Sequence, residues 1–244
     1  MDLDSLRAAS PGIVVDTSDD ALEAARADRS GHRATGRPLA VVRATEVAHV
    51  QAAMRWASEH GVPVVPRGAG TGLAGGANTG EGELSIDVSG MRRILEVSAA
   101  DQLAVVEPGI LNAELNGALA EHGMWWAPDP ASRAISTVGG NIATNAGGLL
   151  CAKYGVTREA VLALGVVLAS GERIDVGHRT VKGVTGLDLA ALMIGSEGTL
   201  GIIVEATLRL RPAVPGGIWT IGATFDDETA AARACAAITA AHIR

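Results

Sequence analysis

Fourteen of the 31 glycines crowd into three short stretches, and those stretches hold the residues best placed to do chemistry. The first reads Pro66-Arg-Gly-Ala-Gly-Thr-Gly-Leu-Ala-Gly-Gly76 and continues to Gly80 and Gly82. Glycine accepts positive φ and lets main chain approach a ligand closely. Successive free N–H groups in such a turn form a hollow that binds anions. Arg67 adds a cation and Thr71 a hydroxyl, a combination suited to a diphosphate. The formal G-x-G-x-x-G at Gly70, Gly72 and Gly75 is followed by Asn78-Thr-Gly-Glu-Gly82, a poor helix, which speaks against a Rossmann turn. The chain has no Gly-Lys dipeptide, so a Walker loop is excluded.

The second stretch, Asp129 to Gly148, is small, polar and almost free of charge. Its hydroxyls and amides suit buried main chain against a flat polar ligand. A helix N-terminus packed tightly on a sheet would use the same residues. The third, Gly195-Ser-Glu-Gly-Thr-Leu-Gly201, is not a Gly-x-Ser-x-Gly nucleophile elbow. Glu197 there could accept a hydrogen bond from a ligand, or sit in a tight turn facing solvent.

These loops need elements to hold them. Leu39–Arg43 reads as a strand, and Thr45 as the cap of a helix whose Val47, Val50, Met54 and Ala57 recur at helical spacing until Gly61. With a strand at Val62–Pro66 this is a βαβ unit with parallel strands. Strands follow at Leu84–Val88 and Leu103–Glu107, then a helix at Leu111–His122. Val161–Ala169 and Glu172–Val176 flank Ser170-Gly171 as a hairpin, Asp188–Ile194 is a short helix, and Gly201–Arg211 is a strand stopped by Pro212. Residues 1–37 read as an arm with one short helix near 19–27. A strand at Ile218–Phe225 and an alanine-rich helix capped by Asp226 then restart the pattern. One strand and one helix cannot bury their own apolar faces, so a further domain is expected to begin there.

Composition bounds the function. The chain has 244 residues, 48% hydrophobic, and a net charge of −7, which argues against a nucleic-acid backbone as partner. Aromatic residues are 2%, too few for stacking on single strands. Cys151 and Cys235 form neither a disulfide framework nor a zinc pattern, and the six histidines form no HxxxH or HxH pair, so no metal site is expected from this chain. The acidic start is no signal peptide. The longest apolar stretch, Ala160–Ala169, falls short of the ~20 residues that span a bilayer. The expectation is a cytoplasmic protein without a transmembrane segment.

Taken together, Val62–Gly76, Pro128–Tyr154, Lys182–Leu189 and Ile194–Leu210 resemble the FAD-binding domain of the vanillyl-alcohol-oxidase superfamily, the PCMH-type or FAD-linked oxidase domain. The nearest branch holds the glycolate oxidase FAD-subunit and the D-lactate and D-2-hydroxyglutarate dehydrogenases. The resemblance implies an α+β fold of two subdomains, about 1–95 and 96–213, with FAD between them. It makes 214–244 the start of a truncated substrate (cap) domain. It implies that Arg67, Gly68, Ala69, Gly70, Thr71 and Gly72 cradle the pyrophosphate through main-chain amides, with Gly76 in the same cofactor set. Pro130, Ser132, Thr137, Gly140, Asn141, Thr144, Asn145 and Gly147 would line the flavin and its linker, and Glu197, Gly201 and Ile202 the adenosine.

Two departures carry consequences. Thr71 stands where relatives with covalent flavin often carry His, so the FAD is expected to be non-covalent. Gly186-Leu-Asp-Leu189 replaces the usual Gly-Tyr-Asp-Leu. The implied activity is FAD-dependent oxidation of a 2-hydroxy acid by hydride transfer to flavin N5, with electrons passed to an acceptor. An iron–sulfur or second flavin subunit could serve that step. No catalytic residue is assigned in this chain, because the resemblance puts the base, the metal-binding histidines and the carboxylate-holding groups in the cap half. The chain is therefore expected to be an inactive fragment. The alternatives are a non-catalytic FAD-binding subunit of an electron-transfer dehydrogenase and a carrier-type role without flavin.

Overall fold

The computed structural model describes residues 2–180, 182–216 and 219–241, in two units, Met1–Pro212 and Ala213–Arg244. The larger unit opens with α1 (Leu3–Ala8), β1 (Val14–Asp16) and α2 (Asp19–Ala25), then β2 (Ala40–Arg43), α3 (Val47–His60), β3 (Val64–Arg67) and β4 (Leu84–Asp87). The four strands form one sheet in the order β1-β2-β4-β3. The βαβ expectation needs one refinement. β2 and β3 point the same way, but β4 lies between them, parallel to both, with Ser85 opposite Val41 on one side and Val65 on the other. The burial of β4 explains its central place. Leu84, Ser85 and Ile86 are fully buried, as a strand covered on both faces requires.

The predicted face of α3 is correct: Val50, Met54 and Ala57 are buried in the core with Leu84 and Ile86. Its start differs. Glu46 is the N-cap residue and gives no side-chain cap, while the Thr45 amide donates to the ring Nδ1 of His49 at 3.4 Å. Gly61 ends the helix at φ 63°, the left-handed position glycine fills without a Cβ penalty.

The second sheet contains β5 (Ile94–Ser98), β6 (Leu103–Val106), β8 (Val161–Val167), β9 (Arg173–Gly177) and β10 (Ile202–Arg209), ordered β5-β6-β10-β8-β9 and antiparallel throughout. Around it lie α4 (Asn112–Ala120), α5 (Val138–Ala143), α6 (Cys151–Tyr154) and α7 (Leu189–Met193), and β7 (Met124–Trp125) pairs with β11 (Arg211–Pro212). β10 joins the two cores. Ile202 and Val204 pack with the first sheet, whereas Ala206 and Leu208 pack with the second. Strict alternation would keep all four on one face. A register shift between Ile203 and Glu205 turns the strand over, the ordinary effect of a bulge.

In the smaller unit, α8 (Glu228–Ala240) is capped by Asp227, whose carboxylate accepts the Ala230 N–H at 2.6 Å, rather than by Asp226. The strand expected over 218–225 is absent from 219–225, and Ile218 lies outside the described residues. Among the described residues of its own unit the run has no neighbouring strand. Among the described residues no helix is long and apolar enough to cross a membrane.

Candidate cofactor site

The loop from β3 to β4, the segment around α5 and the turn before β10 converge on one cavity of about 750 Å³. The contacts between them involve main chain and side chains such as Thr137 and Glu197. A Cβ on Gly68 would stand 2.5 Å from Thr137 Oγ1, and one on Gly76 would stand 2.6 Å from Glu197 Oε2. Gly195 and Glu197 donate their amides to Ile142 and Ala143 of α5, at 3.1 and 2.9 Å. Glycine is thus required by close approach at Gly68 and by φ of 63° at Gly70, whereas at Gly76 the Glu197 side chain can swing aside.

Within the first loop, main-chain N–H groups 68–74 donate to no other group among the described residues. They are the donors an anion needs. The corresponding groups of α5 are different. Val138 and Gly139 donate to the carbonyls of Ile110 and Pro108, and Gly140 to Thr137 Oγ1 at 3.2 Å. A Cβ on Gly139 would lie 2.5 Å from the Pro108 ring. Tight packing on the sheet therefore explains Gly139, the plainer of the two readings that the sequence allows.

Of the residues singled out from sequence, Arg67, Gly68, Ala69, Gly70, Thr71, Gly72 and Gly76 line the cavity. So do Pro130, Ser132, Thr137, Gly140, Asn141, Thr144, Gly147, Glu197, Gly201 and Ile202. Asn145 does not. It turns at φ 48° at the end of α5, and its Oδ1 accepts the Arg158 amide at 3.0 Å, so its role is to shape the turn. The Arg67 cation also differs from expectation, because its guanidinium donates to the main-chain carbonyls of Ala25, Ala27 and Ala77. Burial lowers its pKa, opposed by the nearby Asp87 and Asp28. The sequence reading missed Asp28, Pro108 and Ile135, which also line the cavity. Asp28 sits in the arm beyond α2, where no spacing marks it.

Two buried polar atoms at this cavity have no partner, Asn141 Nδ2 and Asp28 Oδ2. An orphaned buried donor costs about 1–3 kcal/mol. Asn141 is 3% exposed, so its amide suits a ligand acceptor. Together with the free loop amides and a wall of small residues, this donor set fits a ligand that carries a diphosphate and further hydrogen-bond acceptors. Among the described residues no group of three or more His, Cys, Asp or Glu is placed to hold a metal ion.

The family model described as "FAD binding domain" matches residues 38–177. Glycolate oxidase subunit GlcD of Bacillus subtilis is 43% identical over 206 residues, covering 84% of this chain and 44% of that protein. D-2-hydroxyglutarate dehydrogenase of Xanthomonas citri pv. viticola is 43% identical over 211 residues, 86% of this chain and 44% of its own. D-lactate dehydrogenase of Anaerostipes hadrus is 42% identical over 177 residues, 72% of this chain and 37% of its own. The chain thus spans less than half the length of these relatives. Among solved structures, alkyldihydroxyacetonephosphate synthase matches with a TM-score of 0.65 and 27% identity, over 72% of this chain and 32% of that one.

Proposed function

Because this chain belongs to the FAD-binding domain family of the vanillyl-alcohol-oxidase superfamily, we propose that it is the flavin-holding part of an oxidoreductase acting on a 2-hydroxy acid. The observation that carries the reading is the backbone-walled cavity in a chain whose relatives are named for glycolate, D-2-hydroxyglutarate and D-lactate. Bound FAD supplies a two-electron acceptor for the hydride of the substrate α-carbon. The amides of 68–74 hold the diphosphate, and the Asn141 amide donates to the ring portion. Pro130, Ala131 and Ile135 add apolar surface to the wall of the same cavity. Glu197, Gly201 and Ile202 flank the adenosine. Hydride removal also needs a base on the hydroxyl and cations on the carboxylate. Both are assigned to the length that the relatives have beyond this match, and the electrons then leave to a separate acceptor.

Reductive titration of full-length protein, this chain together with the length its relatives have beyond the match, with glycolate, D-lactate and D-2-hydroxyglutarate tests the reading: one of them should bleach the flavin band, and bleaching by none removes it. With Thr71 in place of a histidine, the FAD is held without a covalent bond. Acid precipitation should release it to the supernatant, and flavin retained in the pellet would overturn that.

A further inference from the structure

We propose that the Arg67 side chain is a clamp that sets the shape of the glycine loop before the cofactor arrives, and that it does not itself meet the diphosphate. The proposal rests on the flavin reading of the cavity. Arg67 is the last residue of β3, registered opposite Asp87 of β4. Its Nη1 donates to the carbonyl of Ala77 at 2.8 Å and to that of Ala25 at 3.4 Å, and its Nη2 to that of Ala27 at 2.9 Å. One planar group therefore ties the start of the loop to its end and both to the arm after α2. A glycine-rich loop has more backbone entropy to lose than any other, and this clamp removes much of that freedom in advance.

Position and charge support the same role. A Cβ on Gly70 would lie 2.4 Å from Nη2, so the loop lies directly over the guanidinium. Asp28 and Asp87 balance the charge locally. Nearby main-chain bonds complete the frame: Arg29 to Gly72 at 3.0 Å, Asn78 to Gly75 at 3.1 Å and Thr79 to Ala25 at 2.9 Å. Lysine keeps the charge but not the planar fork, so the two roles separate experimentally.

The experiment compares the unsubstituted full chain with Arg67→Lys and Arg67→Gln, reading FAD affinity and amide hydrogen exchange without flavin. Both variants should lose about tenfold or more in FAD affinity, to a similar extent. Exchange should quicken at Arg29, Asn78 and Thr79 while residues 84–87 hold. In the unsubstituted chain those three amides should already be protected before FAD is added. Near-normal affinity in Arg67→Lys with loss in Arg67→Gln would show that the charge itself holds the cofactor, and would overturn the clamp. Unprotected amides in the unsubstituted flavin-free chain would overturn it too, even if neither variant folds. If the unsubstituted chain binds no FAD, the flavin reading fails on that titration, while the exchange data still decide the clamp.

Discussion

Asn141 and Asp28 face the same cavity with unsatisfied atoms of opposite character, a donor and an acceptor. For Asn141→Leu we expect FAD affinity to fall about tenfold, the worth of one lost hydrogen bond to a buried partner. The flavin-free melting temperature should be kept, because no protein bond to the amide nitrogen is broken. Fluorescence titration beside a thermal melt checks both. Asp28 titrates below the ordinary 3.8: burial raises it, but the Ser30 hydroxyl and amide, the Gly75 amide and the Arg67 charge together outweigh that. A depressed folded pKa stabilises the fold above the unfolded value and loses that stabilisation as pH falls through the folded one. Denaturant midpoints of the flavin-free chain should therefore drop as pH falls below 3.8, and Asp28→Asn should make that acid limb shallower. An unchanged limb would remove Asp28 from the acid response.

At the level of elements, α5 depends on Thr137, whose hydroxyl accepts the Gly140 amide and stands against Gly68. Thr137→Ala should cost about 1 kcal/mol by urea unfolding, and Thr137→Ser should recover most of it. Elements with a strong period were legible from sequence: the buried face of α3, and the hairpin of β8 and β9 turned by Gly171 at φ 77°. The helix α1 and the strands β1 and β5 were not. β1 has three residues, and the middle of β5 leaves Leu95 and Glu96 exposed, so neither shows an apolar alternation. The place of β4 between β2 and β3 was hidden as well, because pairing order rests on long-range burial. The site was legible where glycine chemistry marks it. It was illegible at Asp28, which tertiary packing alone brings in, and at Asn145, whose amide serves its own turn.

For the whole molecule, a ligand that binds only the folded state stabilises it by mass action, about 2.7 kcal/mol at a hundredfold excess over Kd. For a unit near this size that corresponds to roughly 5–11 °C in melting temperature, readable by scanning calorimetry with and without FAD. Described residues between 213 and 227 are exposed and form no helix or strand. A protease should cut there first, and the 1–212 piece should keep its flavin through gel filtration. Loss of flavin on that cut would show that the smaller unit helps to hold it. The composition of the cavity wall has a consequence for genetics. Nine of its residues are glycine and six are alanine, so truncation to alanine leaves that part of the wall unread. The informative map is the inverse one, where each added methyl at Gly68, Gly70 or Gly139 crosses a neighbouring atom. Intolerance to enlargement, rather than to truncation, is how a selection experiment would draw the outline of this pocket.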